Sequence, residues 1–514
     1  MKRYNHNRSN TRLQDMDMGL LVPTRASHCI AGTTLRGGVA CALELSPLVH
    51  QMLGTLRIDT FAIAIADRLV WDDAEDFYTG GSDGKQRPIP PYIEAPAVTG
   101  WTIGSLGEYL GFPTGVPGLK CNAIPFRLYA KWINENIIDP QIQSPLPIST
   151  ASGKDTTTNT DLFNINWTKD MFTTARPEPI LGDSAVIPIA TSAPVFPDAD
   201  AVSSKTGQKL YWSKSSDNSK FVSGTTNAYA QLGVGDSAAG GATEGSSNIS
   251  GNYNANIGEL VPRNLISDLS NTTGVLPDDF NFAMAQQRWK SRRNLFGHRF
   301  KDWLAFMGIK YSDRRLDLPS TLAHGKQMID ISGVLQTAPG DSSYVGQMAG
   351  RGTGFGSCSY KTYFEEPTTV IHLVCVRPST LYVNMMPPEW QWEVREDLFT
   401  PEYAHVGMVE EKVGTLYPTG VEADDNVTFG WRNRYDEMRS GFNSVCGKFK
   451  TTNASYHMGR IFESAPSLNS DFLQCTPTNR VFADLNGPHI EACAIRNTFI
   501  ERNFVTPDGN PHYA

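Results

Sequence analysis

The chain has 514 residues, of which 40% are hydrophobic and 19% are charged, a balance typical of a globular protein and not of a disordered one. Its formal net charge of -8 excludes bulk binding to polyanions, so any nucleic-acid contact must come from segregated basic patches. The sequence has no apolar run long enough for a membrane span and no secretory signal, and its eight cysteines include no C-x-x-C pair, which predicts free thiols in a reducing compartment.

Residues 1–25 are polar and rich in positive charge. Lys2, Arg3, Arg8 and Arg12 all precede the first acidic residue, Asp15. Chain ends are commonly disordered unless they dock, so a frayed terminus and a functional arm are both open. We predict a basic N-terminal arm over 1–25 whose four basic side chains contact nucleic acid.

Two regular elements are predicted in the next part of the chain. The run IDTFAIAIA, which begins at Ile58, alternates large and small residues and predicts a buried strand. The segment PFRLYAKWINENIIDP, residues 125–140, has apolar residues at helical spacing and a proline at its end, which predicts a helix.

The composition changes between residues 141 and 275. Stretches such as GVGDSAAGGATEGSSNISGNYNAN contain too few large apolar residues to build a core, so this segment is expected on a surface. A flexible linker between two domains is one interpretation. The other is a long excursion from a single domain, and long loops inside compact domains are usually functional.

The segment 286–315 concentrates positive charge. Nine Lys or Arg residues oppose two Asp residues there, a net charge of +7 in a chain whose total is -8. Apolar residues at helical spacing on both sides of Gly297 predict two short helices, the second ending at Gly308. The two predicted stripes are Phe282, Ala285, Trp289 and Phe296, followed by Phe300, Trp303, Leu304 and Met307.

The basic residues of these helices do not form one polar face. Arg292 and Arg293 lie within about 60° of the centre of the first stripe, where an arginine can offer its guanidinium to a phosphate or to a carboxylate of a neighbouring chain. Arg288 and Lys290 point further round and are predicted to contact nucleic acid. A solvated helix pair with ordinary ion pairs is the alternative, and core packing is the expected use of the tryptophans.

Three later runs predict strands: MIDISGVLQ at 328–336, TTVIHLVCVRPSTLYV at 368–383 and HIEACAIRNTFIERNFV at 489–505. The Gly-rich run GQMAGRGTGFGS at 346–357 lacks the register of a phosphate-binding loop and is predicted to be a flexible loop before a strand. Strands scattered along the chain with long irregular connections predict a β-sandwich with large loops.

No catalytic chemistry is predicted. The histidines form no metal-ligand spacing, no G-x-S-x-G elbow is present, and Cys358 lacks a nucleophile signature. No cofactor or metal is therefore assigned. The acidic runs at 72–76 and 422–425 offer carboxylates for a structural calcium ion, although solvated surface charge is the simpler interpretation.

Six segments spread over most of the chain share a pattern with a known family. They are RIDTFAIAIADRLVWDD (57–73), IPFRLYAKWINENIID (124–139), FMGIKYSDRRLDLPSTLAHGKQMIDISGVLQT (306–337), VIHLVCVRPSTLYVNMMPPEW (370–390), RNRYDEMRSGF (432–442) and SAPSLNSDFL (464–473). In this order they resemble the major capsid proteins of the Microviridae, small tailless phages with circular single-stranded DNA, and most of all the gokushovirus-type branch.

This resemblance implies a mainly β fold: an eight-stranded antiparallel jelly-roll β-sandwich with long loop insertions and a few short helices. Residues 26–514 would form one domain, with 141–275 as the variable surface insertion of the family. That insertion builds protrusions near the three-fold axes of the shell, which suggests a role in host attachment.

The resemblance also implies partners. Copies of the chain would form a T=1 icosahedral shell around packaged single-stranded DNA, assembled in the cytoplasm of the bacterial host. Small basic DNA-binding or minor virion proteins and a host cell-surface receptor would be further partners. In this interpretation Arg292 and Arg293 lie at a subunit interface, and the DNA contacts are Lys2, Arg3, Arg8, Arg12, Arg288 and Lys290.

Two other classes of protein stay open. A jelly-roll enzyme is disfavoured because the metal ligands are missing. A carbohydrate-binding or adhesion β-sandwich protein fits the predicted sandwich and the aromatic residues, but a thiol-rich chain without a secretory signal does not favour it.

Overall fold

The computed structural model describes residues 2–83, 85–183, 195–197, 212–214, 260–262, 265–267, 277–297, 299–337 and 345–507. Contacts divide the chain into two compact units, one formed by residues 1–181 with 290–514 and the other by residues 182–289. The strands are β1 (Tyr4–Asn7), β2 (Asn10–Met16), β3 (Val22–Cys29), β4 (Thr34–Leu45), β5 (Leu56–Ala66), β6 (Tyr92–Glu94), β7 (Lys120–Asn122), β8 (Val195–Pro197), β9 (Trp212–Lys214), β10 (Leu260–Pro262), β11 (Leu265–Ser267), β12 (Ser320–Leu335), β13 (Met348–Tyr363), β14 (Thr368–Pro378), β15 (Met408–Lys412), β16 (Thr428–Asn433) and β17 (Ile490–Asn503). The α-helices are α1 (Ala74–Thr79), α2 (Leu106–Tyr109), α3 (Ile124–Asn136), α4 (Pro277–Phe296), α5 (Phe300–Phe306), α6 (Val413–Leu416), α7 (Glu422–Asp425) and α8 (Ser470–Leu473).

The first unit is built on one curled antiparallel sheet. Its strand order is β1-β17-β4-β13-β12-β5-β14-β3, and β2 also pairs with β17. This arrangement confirms the mainly β, antiparallel prediction and the strands predicted from Ile58 and at 328–336, 368–383 and 489–505. Eight strands form the continuous path of the sheet, and β2 is a ninth strand that pairs with β17 off that path.

β5 and β14 lie side by side and are buried on both faces, which explains their nearly continuous apolar sequences. On one face Ile58 and Val374 join the core inside the curled sheet. On the other face Phe61 and Leu373 pack in a cluster with Tyr129 of α3. The predicted helix at 125–140 is confirmed as α3, and its apolar stripe covers the outside of these two strands.

The prediction of a flexible loop at 346–357 is wrong, because most of this run lies in strand β13. Glycines recur at every second position from Gly350 to Gly356 and lie on the side of the strand that faces the core. A Cβ at Gly352 would lie 2.3 Å from Cδ1 of Leu45, and one at Gly356 would lie 2.7 Å from Cγ2 of Ile58. These positions lack side chains because neighbouring residues fill the space. The composition indicated a loop, whereas the spacing of two was the signal of a strand.

A buried polar cluster joins strands from distant parts of the sheet. Nε2 of His372 in β14 lies 3.0 Å from the hydroxyl of Tyr360 in β13, and Nδ1 lies 3.0 Å from Oδ1 of Asn497 in β17. The hydroxyl of Thr24 in β3 donates to the same Oδ1 at 3.0 Å. Because an amide oxygen only accepts, Nδ1 carries the proton, and the ring is neutral when Nε2 accepts from the Tyr360 hydroxyl. Burial lowers the pKa of His372 to about 4.

Residues 1–25 do not form a free arm, in contrast to the prediction. β1 and β2 both pair with β17, and β3 pairs with β14. Met16, Met18 and Val22 are buried in the core inside the sheet. The N-terminal residues dock because they complete the backbone hydrogen bonds of β17 and add apolar side chains to the core.

The predicted insertion at 141–275 begins later than expected. Residues 141–181 belong to the first unit, where the amide of Trp167 donates to the carbonyl of Leu473 at 2.9 Å and the side chain of Phe172 is buried. The second unit, residues 182–289, includes the antiparallel pairs β8 with β11 and β9 with β10. Most of the predicted insertion lies outside the described residues.

The depressed pKa of His372 predicts an acid-sensitive fold. Its value is 6.5 in an unfolded chain and about 4 in the folded protein, so the contribution of His372 to stability is complete above pH 6.5 and declines as the pH falls toward 4. Differential scanning calorimetry should show that the melting temperature of the wild-type subunit falls more steeply over this pH range than that of the His372→Gln variant. The glutamine side chain cannot take up the proton. His405→Gln, at an exposed histidine, should keep the wild-type slope; an equal slope for His372→Gln would contradict the assignment.

Candidate nucleic-acid and subunit interfaces

Arg12, a predicted DNA contact, is used inside the subunit. Its guanidinium donates to the backbone carbonyls of Tyr109 at 2.6 Å, Glu108 at 3.1 Å and Thr24 at 3.2 Å. Two of these carbonyls end the short helix α2. Burial lowers the pKa of Arg12, although the nearby Glu108 acts in the opposite direction. Arg12 therefore fastens β2 to α2 and is not placed to hold DNA.

Arg8 also has an internal partner. Its guanidinium donates to the carboxylate of Glu501 at 2.8 Å and to the carbonyl of His28 at 3.3 Å. The Glu501 side chain is almost fully buried, so Arg8 supplies the charge that a buried carboxylate needs. Sequence reasoning assigned this residue to DNA because the partner lies at the opposite end of the chain.

Lys2 and Arg3 stay near the surface of β1. The Lys2 side chain is exposed, with Nζ 5.3 Å from the centre of the Tyr4 ring. The guanidinium of Arg3 lies 5.4 Å from the ring of Tyr363 and 4.9 Å from that of Phe504. These two predicted DNA contacts thus lie beside the outer strands of the sheet.

Arg293 differs from its predicted role at a subunit interface. The side chain is only 6% exposed, and its guanidinium donates to the carbonyls of Gly297 and Arg299. Both carbonyls lie in the turn between α4 and α5. Arg293 therefore holds this turn in place, and its hydrogen-bonding capacity faces the subunit interior.

Two more basic residues of the 286–315 segment serve the end of a different helix. Arg299 donates to the carbonyls of Asn134 and Ile138, and Lys301 donates to that of Glu135. All three carbonyls lie at the C-terminal end of α3, which has no basic residue in its own last turn. Cations stabilise this end of a helix because of the helix dipole. The absence of a basic residue in the last turn of α3 was the sequence signal for this contact, and we did not predict the contact.

The guanidinium of Arg292 is accessible to a partner molecule. Arg292 is exposed, and its guanidinium lies 5.2 Å from the ring of Phe306. Arg288 is exposed and Lys290 is half-buried in α4. The prediction that the tryptophans pack in a core is wrong for Trp289, which is 48% exposed. Other members of the two predicted stripes are also exposed, namely Phe282, Phe296, Phe300 and Met307.

A second surface was not predicted from the sequence. The segment 386–398 and the hairpin β15–β16 enclose a cleft of about 550 Å³, with Trp390 and Trp392 both more than half exposed. Seven carboxylates and three basic side chains line it. At its base Arg432 contacts the carboxylates of Glu411 and Glu437, and burial raises the pKa of Glu411 against the charge of that arginine. The paired tryptophans in PPEWQWEV were the available signal.

The two acidic runs do not form a metal site. Asp72 accepts from the hydroxyl of Thr150 at 2.8 Å, and Asp425 accepts from the amides of Thr419 and Gly420 at 2.7 and 2.9 Å. Across the described ranges, no three His, Cys, Asp or Glu side chains gather as ligands. The eight cysteines are free thiols, as predicted. In the same part of the chain, no helix has the length and apolarity to cross a membrane.

Comparison with known proteins gives a consistent result. The family model described as capsid protein (F protein), a phage family, matches residues 1–509. Capsid protein VP1 of Spiroplasma virus 4 is 26% identical over 523 aligned residues, which cover 95% of this chain and 92% of that protein. Capsid protein VP1 of Bdellovibrio phage phiMH2K is 26% identical, covering 90% and 86%, and that of Chlamydia phage 1 is 25% identical, covering 94% and 91%.

The placement of Arg12 and Lys2 predicts different effects of removing them. Arg12→Ala leaves three carbonyls without their donor and should lower the free energy of unfolding by about 1–3 kcal/mol. Lys2→Ala, at an exposed side chain, should change it by less than about 0.5 kcal/mol. Urea denaturation of the purified subunit measures both. If Arg12→Ala unfolds like the wild type, the structural role assigned to Arg12 is wrong.

Proposed function

The chain belongs to the capsid protein (F protein) family of phages, and from this premise we propose that it assembles with copies of itself into a T=1 icosahedral shell around a single-stranded DNA genome. It is a major capsid protein of the gokushovirus type within the Microviridae, and its place is the virion. The family match over residues 1–509 is the observation that carries the proposal. The carbohydrate-binding alternative is not favoured, because the same match spans nearly the whole chain.

Several finer features belong to the same proposal. Assembly takes place in the cytoplasm of the bacterial host, the role of the protein is structural without enzymatic activity, and small basic or minor virion proteins accompany the DNA. Lys2, Arg3, Arg288 and Lys290 are proposed to contribute to DNA contact. Arg8 and Arg12 are withdrawn from this set because their guanidiniums serve the subunit interior.

We assign the cleft between 386–398 and β15–β16 to contact with a second copy of the chain. Its excess of carboxylates complements the positive charge that the same chain carries on α4, where Arg292 is exposed. Trp390 and Trp392 supply aromatic area of the kind that anchors protein interfaces. A surface of one copy that fits a different surface of the next can close into a symmetric shell.

Assembly tests this assignment. Replacing both cleft tryptophans, Trp390→Ala with Trp392→Ala, should lower the yield of particles from phage-producing cells by on the order of tenfold or more, because interface anchors commonly carry about 2 kcal/mol each. Sedimentation and electron microscopy count the shells. A double variant at exposed apolar residues outside the cleft, Val98→Ala with Ile103→Ala, is the comparison.

The outcomes of that experiment separate two claims. Normal shells from the tryptophan variant would exclude the cleft as an interface and leave the capsid function intact. Wild-type chains that form no shells in phage-producing cells would contradict the proposed function itself. The melting temperature of the purified subunit should be unchanged by the tryptophan variant, which shows that the lost shells do not follow from unfolding.

The Gly- and Ser-rich insertion is proposed to form the surface protrusions and to contact a host cell-surface receptor. Replacing residues 234–254, which lie outside the described residues, with a short linker should leave shell formation intact and reduce attachment to the host. Particle counts and binding of labelled particles to cells measure the two effects separately. Loss of shells would instead make this stretch an element of assembly.

A further inference from the structure

The outer face of β17, β4 and β13 collects basic residues that are remote in sequence. Arg36 of β4 pairs with Lys361 of β13 on one side and with Ile500 of β17 on the other. Arg496 pairs with Ala40, and Arg502 pairs with Thr34. Since side chains alternate between the faces of a strand, these four basic residues lie on the same side of the sheet, away from the core. We call this surface the basic face.

The basic face has no compensating charge. Arg36, Lys361, Arg496 and Arg502 are exposed, and within the described ranges none of their four side chains makes a hydrogen bond or an ion pair. The outward positions nearest to the four residues carry no acid, and the first outward carboxylate along β4, that of Glu44, is paired with Arg351. These nearest positions are Asn5, Asn7, Thr34, Gly38, Ala40, Ser357, Ser359, Tyr363, Thr498 and Ile500. A local charge of +4 on a chain whose total is -8 is therefore built by strand pairing.

This arrangement weakens the isolated subunit. Arg36 and Lys361 stand directly opposite each other on neighbouring strands, and like charges in that position are destabilising. Further along the same side of these strands an arginine is neutralised: Arg351 of β13 forms an ion pair with Glu44 of β4 at 2.7 Å. A negatively charged partner on the basic face would relieve the repulsion that the subunit leaves in place.

The surrounding side chains suit a nucleic-acid strand. Serine, threonine and asparagine side chains on the basic face can hydrogen-bond phosphate and sugar oxygens. Phe355, on the same side of β13, is 60% exposed and is available for base stacking. Arg3 lies at the edge of this surface against the ring of Tyr363 and adds a further positive charge.

We propose that the basic face binds the phosphate backbone of single-stranded DNA, with Phe355 stacking an unpaired base. The inference rests on the proposed function, which supplies packaged DNA as the partner. An acidic protein segment is a weaker fit because most positions between the charges are small or polar, with Ile500 as the exception, whereas protein interfaces concentrate apolar residues at their centre. The charges are also spread along β17 from Arg496 to Arg502, a distance of about 20 Å at 3.4 Å per residue.

Salt-dependent DNA binding by the purified subunit tests the proposal. Fluorescence anisotropy with a labelled single-stranded oligonucleotide, titrated over sodium chloride, gives the slope of log K against log salt. Neutralising all four residues to glutamine should reduce that slope by up to about 2.8, since each phosphate contact contributes about 0.7 for single strands, and should weaken binding at low salt at least tenfold. Phe355→Ala should weaken binding without changing the slope.

Two control sets keep the result specific. The same charge change at four exposed basic residues elsewhere, Lys85, Arg87, Lys448 and Lys450, should leave the slope and the affinity unchanged. Changing Arg36, Arg496 and Arg502 to lysine preserves the charge, so binding should persist and show that the surface is folded. If the glutamine variant keeps the wild-type slope, the basic face does not bind DNA.

The remaining outcomes distinguish this inference from the proposed function. A glutamine variant that binds DNA normally but forms no shells would assign the basic face to an acidic protein segment and overturn the proposal. Wild-type chains that form shells, yet bind no DNA through these residues, would overturn the basic face while the capsid function stands. DNA binding that depends on the four residues, in a chain that never assembles, would support the basic face and contradict the proposed function.

Discussion

The buried polar cluster around His372 is the constraint on which the curled sheet depends. Its side chains come from two separate parts of the sheet, β13 and β17 on either side of β4, and the neighbouring strands β14 and β3. Leaving one of these polar groups unpaired would cost about 1–3 kcal/mol, so the cluster specifies one alignment of the facing parts of the sheet. Apolar contacts in the same core are less directional. The alignment buries one face of β4, β13 and β17 and leaves the other face in solvent.

Charges in the interior are neutralised within the subunit. Arg127 and Asp155 are both fully buried and form an ion pair at 2.8 Å. Asp59 lies beside Arg57 and Arg377; burial alone would raise its pKa, but the hydrogen bond with His324 and the two arginines lower it to about 2. Because these groups already have partners, they cannot contribute to assembly. The charges available to other molecules are those on the surface.

The surface charges follow two different physical demands. Arg299 and Lys301 neutralise carbonyl groups at the C-terminal end of α3, where the helix dipole favours a cation. The basic side chains of the basic face contact no helix end. The packed core beneath them offsets the destabilising effect of their mutual repulsion. The acidic cleft with its exposed tryptophans has the opposite charge. The proposed contacts with DNA and with other copies of the chain require this separation, because one kind of surface cannot suit both partners.

Local sequence by itself determined the elements whose signals are short in range. The periodicity of α3, the apolar runs of β5 and β14, the break at Gly297 and the isolated cysteines were all readable, because each depends on neighbours within a few positions. The family segments also predicted the capsid fold, because each segment is a short run of neighbouring residues that can be compared by itself. Lys2 and Arg3 were predicted on a free arm, whereas the chain pairs as β1 with β17 directly after them.

Only the tertiary structure decided which basic residues face a partner. Arg8 and Arg293 were predicted to contact a partner molecule. Their acceptors, Glu501 and the carbonyls that follow α4, become neighbours only when the chain folds, so composition does not indicate them. The glycines of β13 looked like a loop until Leu45 and Ile58 were found in the space of their missing side chains. The basic face could not be predicted from the sequence, because strand pairing brings together residues as distant in the chain as Arg36 and Arg496. Charges interact through space, whereas a sequence shows only their order along the chain.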